Sequence, residues 1–336
     1  MRPVGSLAAG LVALALLTGC SGDGSGPDVP TRVPATPAAA PAPAVPPAGR
    51  TALAGSSYTL LAAEPGSGLL AAAAGTRLDV LDPADDPVAV ARTLTLPGAA
   101  AALVPGRPGE LLAAVPGAVV RVEPATGAST EVPVDGDVRS VSPGPDGTLV
   151  VGTADGQVRT LGPDGAVRAA ADGLVTADAL AVIGGEVAVL DRHQSLIAEL
   201  DTGADRLGLR LRAGDGATTL IADAQGRVLV TDPEHGELLV YTTAPLVLRQ
   251  RFPVGSSPYA VAYDAGSDTV WVSCTQSNEV VGFDLGTGIP VEVDRRPTVR
   301  QPDALAVDAG TGDLFVASAA GGGVQRIAAT DRKRGQ

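Results

Sequence analysis

The chain has 336 residues, of which 45% are hydrophobic, 2% aromatic and 18% charged, and its formal net charge is −13. So few aromatics leave Val, Leu and Ala to build the core, a composition suited to short, tightly layered strands. An acidic chain repels phosphate backbones, so no nucleic-acid partner is expected.

The N-terminus reads as a targeting segment. Arg2 precedes an apolar run, Val4–Leu17, of about 14 residues, short of the roughly 20 that a membrane span needs. Leu17-Thr18-Gly19-Cys20 follows and resembles the lipobox of bacterial lipoproteins. The resemblance implies a signal peptide over 1–19, cleavage before Cys20 and acylation of its thiol. The expected location is then the extracytoplasmic face of the cell membrane, held by lipid. Two or more acyl chains anchor stably where one does not.

Residues 21–49 contain eight prolines and no Leu, Ile or aromatic residue. Such a segment cannot bury a core, so residues 20–49 are predicted to form a lipidated, disordered tether. The only other cysteine is Cys274. With Cys20 acylated no internal disulfide can form, and Cys274, ending the strand pattern VWVSC, is read as a small buried residue.

From residue 50 to 330 the chain repeats. Seven copies of an apolar strand begin at Leu69, Leu111, Leu149, Val187, Val228, Val270 and Leu314, spaced 38 to 44 residues apart. Each copy has a strand before the anchor, a Gly/Asp turn, the anchor, a polar turn and a third strand; a variable fourth strand closes most copies. Alternation at this frequency is all-β, and four strands per roughly 40 residues is a propeller blade. The seventh copy lacks its fourth strand before the polar tail at 331–336. Thr51–Ala54, which matches other fourth-strand passages, is expected to supply it. The predicted fold is therefore an all-β, seven-bladed β-propeller of four-stranded blades, closed by an N-terminal strand pairing with the last blade. Closure removes exposed sheet edges.

The run SPYAVAYDAGSDTVWVSCTQSNEVVGFD from Ser257, with PDALAVDAGTGDLFVASAAGGGVQRI after it, resembles the YVTN/NHL-type propeller repeat. The likeness is sharp in the last two copies and weak in the Ala-rich first two. Some propellers of this kind are lactonases and lyases, which the resemblance raises as an activity. A quinone-cofactor dehydrogenase is disfavoured, because the chain has one Trp where such blades carry recurrent tryptophans.

Ligands of a propeller are expected on the face that carries the loops between second and third strands and the loops between blades. Candidates there are Tyr58, Asp137, Arg139, Asp178, His193, His235, Tyr259, Asn278 and Asp303. His193 and His235, the only histidines, fall in matching loops beside carboxylates, which raises a divalent metal or acid–base work. Their spacing is no recognised ligand motif, and no cofactor and no catalytic residue are assigned. Trp271, Phe283 and Phe315 lie in mid-strand and are read as core. The expected role is a monomeric binding scaffold with a protein, peptide or glycan partner in the cell envelope; the alternative is a lactonase-like hydrolase or lyase with its site at the central mouth.

Overall fold

The structure, a computed structural model, describes residues 30–201 and 204–331. The leader, Cys20 and the last five residues lie outside them. Strands and two 3-10 turns are the only regular elements among the described residues. All strand pairs are antiparallel, and the sheets follow one another around a ring.

The first sheet is formed by Leu60–Ala63, Leu70–Ala74, Arg77–Asp82 and Ala89–Thr95. The third is Ala179–Ile183, Glu186–Asp191, Leu196–Asp201 and Arg206–Arg212. The fourth is Thr219–Ala222, Arg227–Asp232, Glu237–Thr242 and Val247–Pro253, and the fifth is Pro258–Asp264, Thr269–Cys274, Glu279–Asp284 and Val291–Pro297. The sixth joins Pro302–Val307, Leu314–Ser318 and Val324–Ile327 to the N-terminal Arg50–Ala52. There Thr51 stands opposite Gln325 and Ala52 opposite Val324, so the early strand completes the last sheet.

The second sheet corrects the sequence reading. The fold is a propeller of six sheets, not seven. Repeats two and three form a single six-stranded sheet of Ala102–Pro105, Leu111–Glu123, Ala128–Pro143, Leu149–Thr153, Val158–Leu161 and Val167–Ala171. One half of Ala128–Pro143 pairs with Leu111–Glu123, the other half with Leu149–Thr153. The sequence reading places Asp137 in a loop between blades, where Asp135-Gly136-Asp137 carries turn residues. The chain instead kinks through Gly136 at φ 95 without leaving the sheet: the register shifts there, and Asp137 pairs with Pro116 beyond the shift, so the two halves stay joined.

Along the centre the sequence repeat persists. Seven short runs line a channel, each packing on the next and Pro302–Val307 on Leu60–Ala63. Along these runs alanines (Ala62, Ala102, Ala222, Ala262, Ala306) stand among larger residues such as Leu61, Leu103, Leu220 and Leu305. Larger residues fill the space between sheets. Trp271 is buried against Leu305, Leu314 and Val316. Phe283 meets Phe252 edge-on, with ring centroids 5.6 Å apart at 75°, a favoured aromatic arrangement. Phe315 is buried in the cluster that seals the ring. Cys274 is 1% exposed, and burial pushes its thiol up to about 12.

Residues 31–48 complete the fold. Sequence composition marks them as tether, yet they lie in non-repetitive conformation along the loop face before entering Arg50–Ala52. At the far end, the Ala48 N–H donates to the Pro297 carbonyl at 2.9 Å and Gln325 donates to the Ala48 carbonyl at 2.7 Å.

Candidate functional site

The site grows from a recurrent local device. The residue that ends the second strand of a repeat turns back and fixes the neighbouring inter-blade loop. The buried Asp191 carboxylate accepts the N–H groups of Val175 and Gln194, at 2.7 and 3.0 Å. In the next repeat buried Asp232 accepts those of Asp215 and Glu234, at 2.9 and 3.0 Å. In the last sheet the Ser318 hydroxyl plays this part: it donates to the Arg300 carbonyl of the inter-blade loop at 2.5 Å and accepts the Gly322 N–H of its own loop at 2.9 Å. A carboxylate satisfying several backbone donors holds a loop rigidly, so the loop face is preorganised.

Asp178, Arg192, Tyr259 and Asp303 are the charged and phenolic side chains at the channel mouth, among the residues that line a cavity of about 500 Å³. Asp178 accepts the Arg192 backbone N–H at 2.9 Å and the Thr176 hydroxyl. Burial pushes the Asp303 carboxyl up, partly offset by the Gln301 amide, which donates to it at 2.8 Å. Burial likewise pushes the Tyr259 phenol up. Arg192 donates through Nη2 to the Ala35 carbonyl at 2.6 Å, while its buried Nε has no hydrogen-bond partner among the described residues.

Beside this mouth the propeller grips residues 32–41. The Arg32 N–H donates to the His193 carbonyl at 2.8 Å, and the Arg32 guanidinium lies 3.5 Å from Asp215 and 3.9 Å from Glu234. The Ala38 N–H donates to Ser257 Oγ at 3.0 Å. Gln301 uses both ends of its amide: Oε1 accepts the Ala40 N–H at 2.8 Å, and Nε2 donates to the Ala38 carbonyl at 3.3 Å. Arg300 donates to the Ala40 carbonyl at 3.1 Å, and Asn278 Nδ2 to the Pro41 carbonyl at 3.0 Å.

The predicted candidates therefore separate. Asp178, Tyr259 and Asp303 converge at the mouth. Asn278 and the His193 backbone contact the strap. His235 stands near the strap's first residues, its Nδ1 3.1 Å from Asp232 and its Nε2 3.4 Å from Asp215. Both its ring nitrogens thus face carboxylates that already hold loop backbone or Arg32. Asp137 and Arg139 pair with each other at 2.6 Å and do not line the mouth. Tyr58 is 1% exposed, and its hydroxyl donates to buried Asp79 at 2.7 Å. Burial pushes that phenol up to about 12. It packs in the core cluster that closes the ring. Sequence reasoning gave no role to Ser257, Arg300 or Gln301. Their signal was present, since all three sit at loop positions flanking Pro258 and Pro302, just before inner strands.

No family model matches the chain, and no curated protein matches it. Solved structures do. A chain of hydrazine synthase from Kuenenia stuttgartiensis is similar at a TM-score of 0.69 with 13% identity, covering 83% of this chain and 97% of that one. A chain of a mitotic checkpoint complex gives 0.70 with 12% identity, covering 89% and 99%. Streptogramin B lyase gives 0.65 with 10% identity, covering 83% and 95%. The shared property is the fold. It is a β-propeller. At such identities these propellers fix no activity, because one fold hosts many.

Proposed function

We propose that the chain is an exported, lipid-anchored propeller whose loop face binds a partner in the cell envelope, as the lipobox and YVTN/NHL-type resemblances suggest. The observation that carries the binding reading is the row of side chains directed at an extended backbone: Arg192, Ser257, Asn278, Arg300 and Gln301 all contact main-chain groups of residues 35–41. Side chains that read peptide groups rather than side chains are the chemistry of a peptide or protein surface.

Two measurements test this. Cys20→Ser should release the protein from membranes; retention would remove the anchor. A photo-crosslinking residue at exposed Gln276, on the loop face, should give a discrete adduct in intact cells, while one at exposed Leu248 should give none. Equal labelling from both, or none from 276, would contradict the binding reading.

A propeller hydrolase or lyase is the second reading. The half-buried acid Asp303 beside Tyr259 and Arg192 in a cavity favours it, since perturbed acids in clefts are typical of acid–base sites. Turnover in a lactone and lyase substrate panel, abolished by Asp303→Asn with the fold intact, would establish it.

A further inference from the structure

We infer that the loop face is a receptor for an extended, alanine- and proline-rich peptide with a leading basic residue, and that residues 31–41 of the same chain occupy it in cis. The inference rests on the reading of this face as a binding surface and names its ligand class.

Three observations carry it. First, the contacts read a backbone. The N–H groups of Arg32, Ala38 and Ala40 and the carbonyls of Ala35, Ala38, Ala40 and Pro41 are all engaged by propeller groups. The engaged N–H groups come from non-proline positions, and Pro34, Pro37 and Pro41 fall between or beside them. Prolines hold the chain extended before it docks, which lowers the ordering cost. Second, side-chain selection is for small size and one cation. Ala35 and Ala40 are buried. Arg32 enters an acidic corner formed by Asp215 and Glu234, with His235 beside Asp215. Third, the strap is only lightly held. Its one large aliphatic residue among positions 31–41, Val33, is 88% exposed. Apart from Arg32, docking depends on hydrogen bonds, two buried alanine methyls and the half-buried Pro34, Pro37 and Ala38. A segment with so little apolar burial belongs to the readily opened end of a structure. An outside peptide of the same chemistry competes for the same groups.

The test uses the full chain. Arg32→Ala, Ala38→Pro and Ala40→Pro together remove the strap's cation and two of its donors, leaving the propeller face unaltered. The probe is a labelled synthetic peptide, TRVPATPAAAPA, followed by fluorescence anisotropy. A strap closed about nine-tenths of the time weakens an outside peptide's apparent affinity about tenfold, so the triple variant should bind at least that much more tightly than wild type. Adding Gln301→Ala and Asn278→Ala should abolish binding, and a peptide with Glu in place of its Arg should bind more weakly. If the double change perturbs the circular dichroism spectrum, Ser257→Ala, which removes only the acceptor for Ala38, serves in its place. The inference is overturned if the triple variant binds no better than wild type, or if binding ignores the face substitutions. A persisting adduct from position 276 with no peptide affinity would overturn the ligand class and leave the binding face standing.

Discussion

Asn278 donates its side-chain amide to the carbonyl of Pro41 at 3.0 Å, across 237 positions of sequence. The same side chain accepts the Gln301 N–H at 3.0 Å, so one buried residue links the strap to two loops. Its backbone sits at φ 53, a left-handed conformation that Asn tolerates better than most residues. Asn278→Ala should therefore loosen residues 31–41 while leaving the strands intact. A net hydrogen bond contributes roughly 0.5–1.5 kcal/mol, so limited trypsin cleavage after Arg32 should accelerate about two- to tenfold. An unchanged rate would mean that the amide holds nothing.

Glu64 couples the first two sheets. Its buried carboxylate accepts the N–H groups of Gly66, Ser67 and Gly109, each at 2.6 Å, and the Ser67 hydroxyl at 2.5 Å. Burial alone raises a carboxyl, but these donors outweigh it and hold Glu64 below its ordinary range. A depressed folded value gives stability that is present above the unfolded value, near pH 4.3, and lost as pH falls below it. Glu64→Ala should cost about 1–3 kcal/mol at neutral pH by stranding buried donors. In chemical denaturation the gap from wild type should narrow below about pH 4.

Ring closure depends on Gly323. It sits at φ +70, and a Cβ there would lie 2.0 Å from the Ala52 carbonyl oxygen. That carbonyl belongs to the closing strand, so Gly323→Ala must push Arg50–Ala52 away from Val324–Ile327. A thermal midpoint lowered by several degrees is expected, from a cost of about 2 kcal/mol or more, whereas Gly75→Ala, with no atom within 4 Å and a similar φ of +60, should cost less. Equal effects at the two sites would refute the closure argument.

Cys274 should be silent in the folded protein. Its thiol is buried and pushed up to about 12 by that burial, and the thiolate is the reactive form. An aromatic disulfide reagent should titrate no Cys274 under native conditions and one after denaturation. Rapid native labelling would contradict the packing described.

Much of this architecture was legible from local patterns. Val270-Trp271-Val272 is a continuous apolar run because its strand is buried on both faces, Val270 and Val272 in one cluster and Trp271 in the next, and such a run bounded by turn residues marks a strand without any partner. The closing strand was legible from strand arithmetic. The number of sheets was not. Asp135-Gly136-Asp137 carries turn residues, and only pairing with Pro116, some twenty residues earlier, keeps that stretch in a ladder. The strap was hidden for a different reason. It docks through peptide groups, which every sequence possesses, so its composition signals only the lack of a core. Tyr58 looked like a loop aromatic because nothing in sequence shows Asp79 waiting beneath it.

The central claim is that residues 31–41 sit on the loop face as a displaceable ligand. Amide hydrogen exchange on the full chain tests it most directly at Arg32, Ala38 and Ala40, whose N–H groups are the bonded ones. The account predicts exchange slower than in the free peptide, faster than in Val270–Val272, and accelerated by Asn278→Ala. Exchange as fast as the free peptide, or as slow as those core strands, would contradict it.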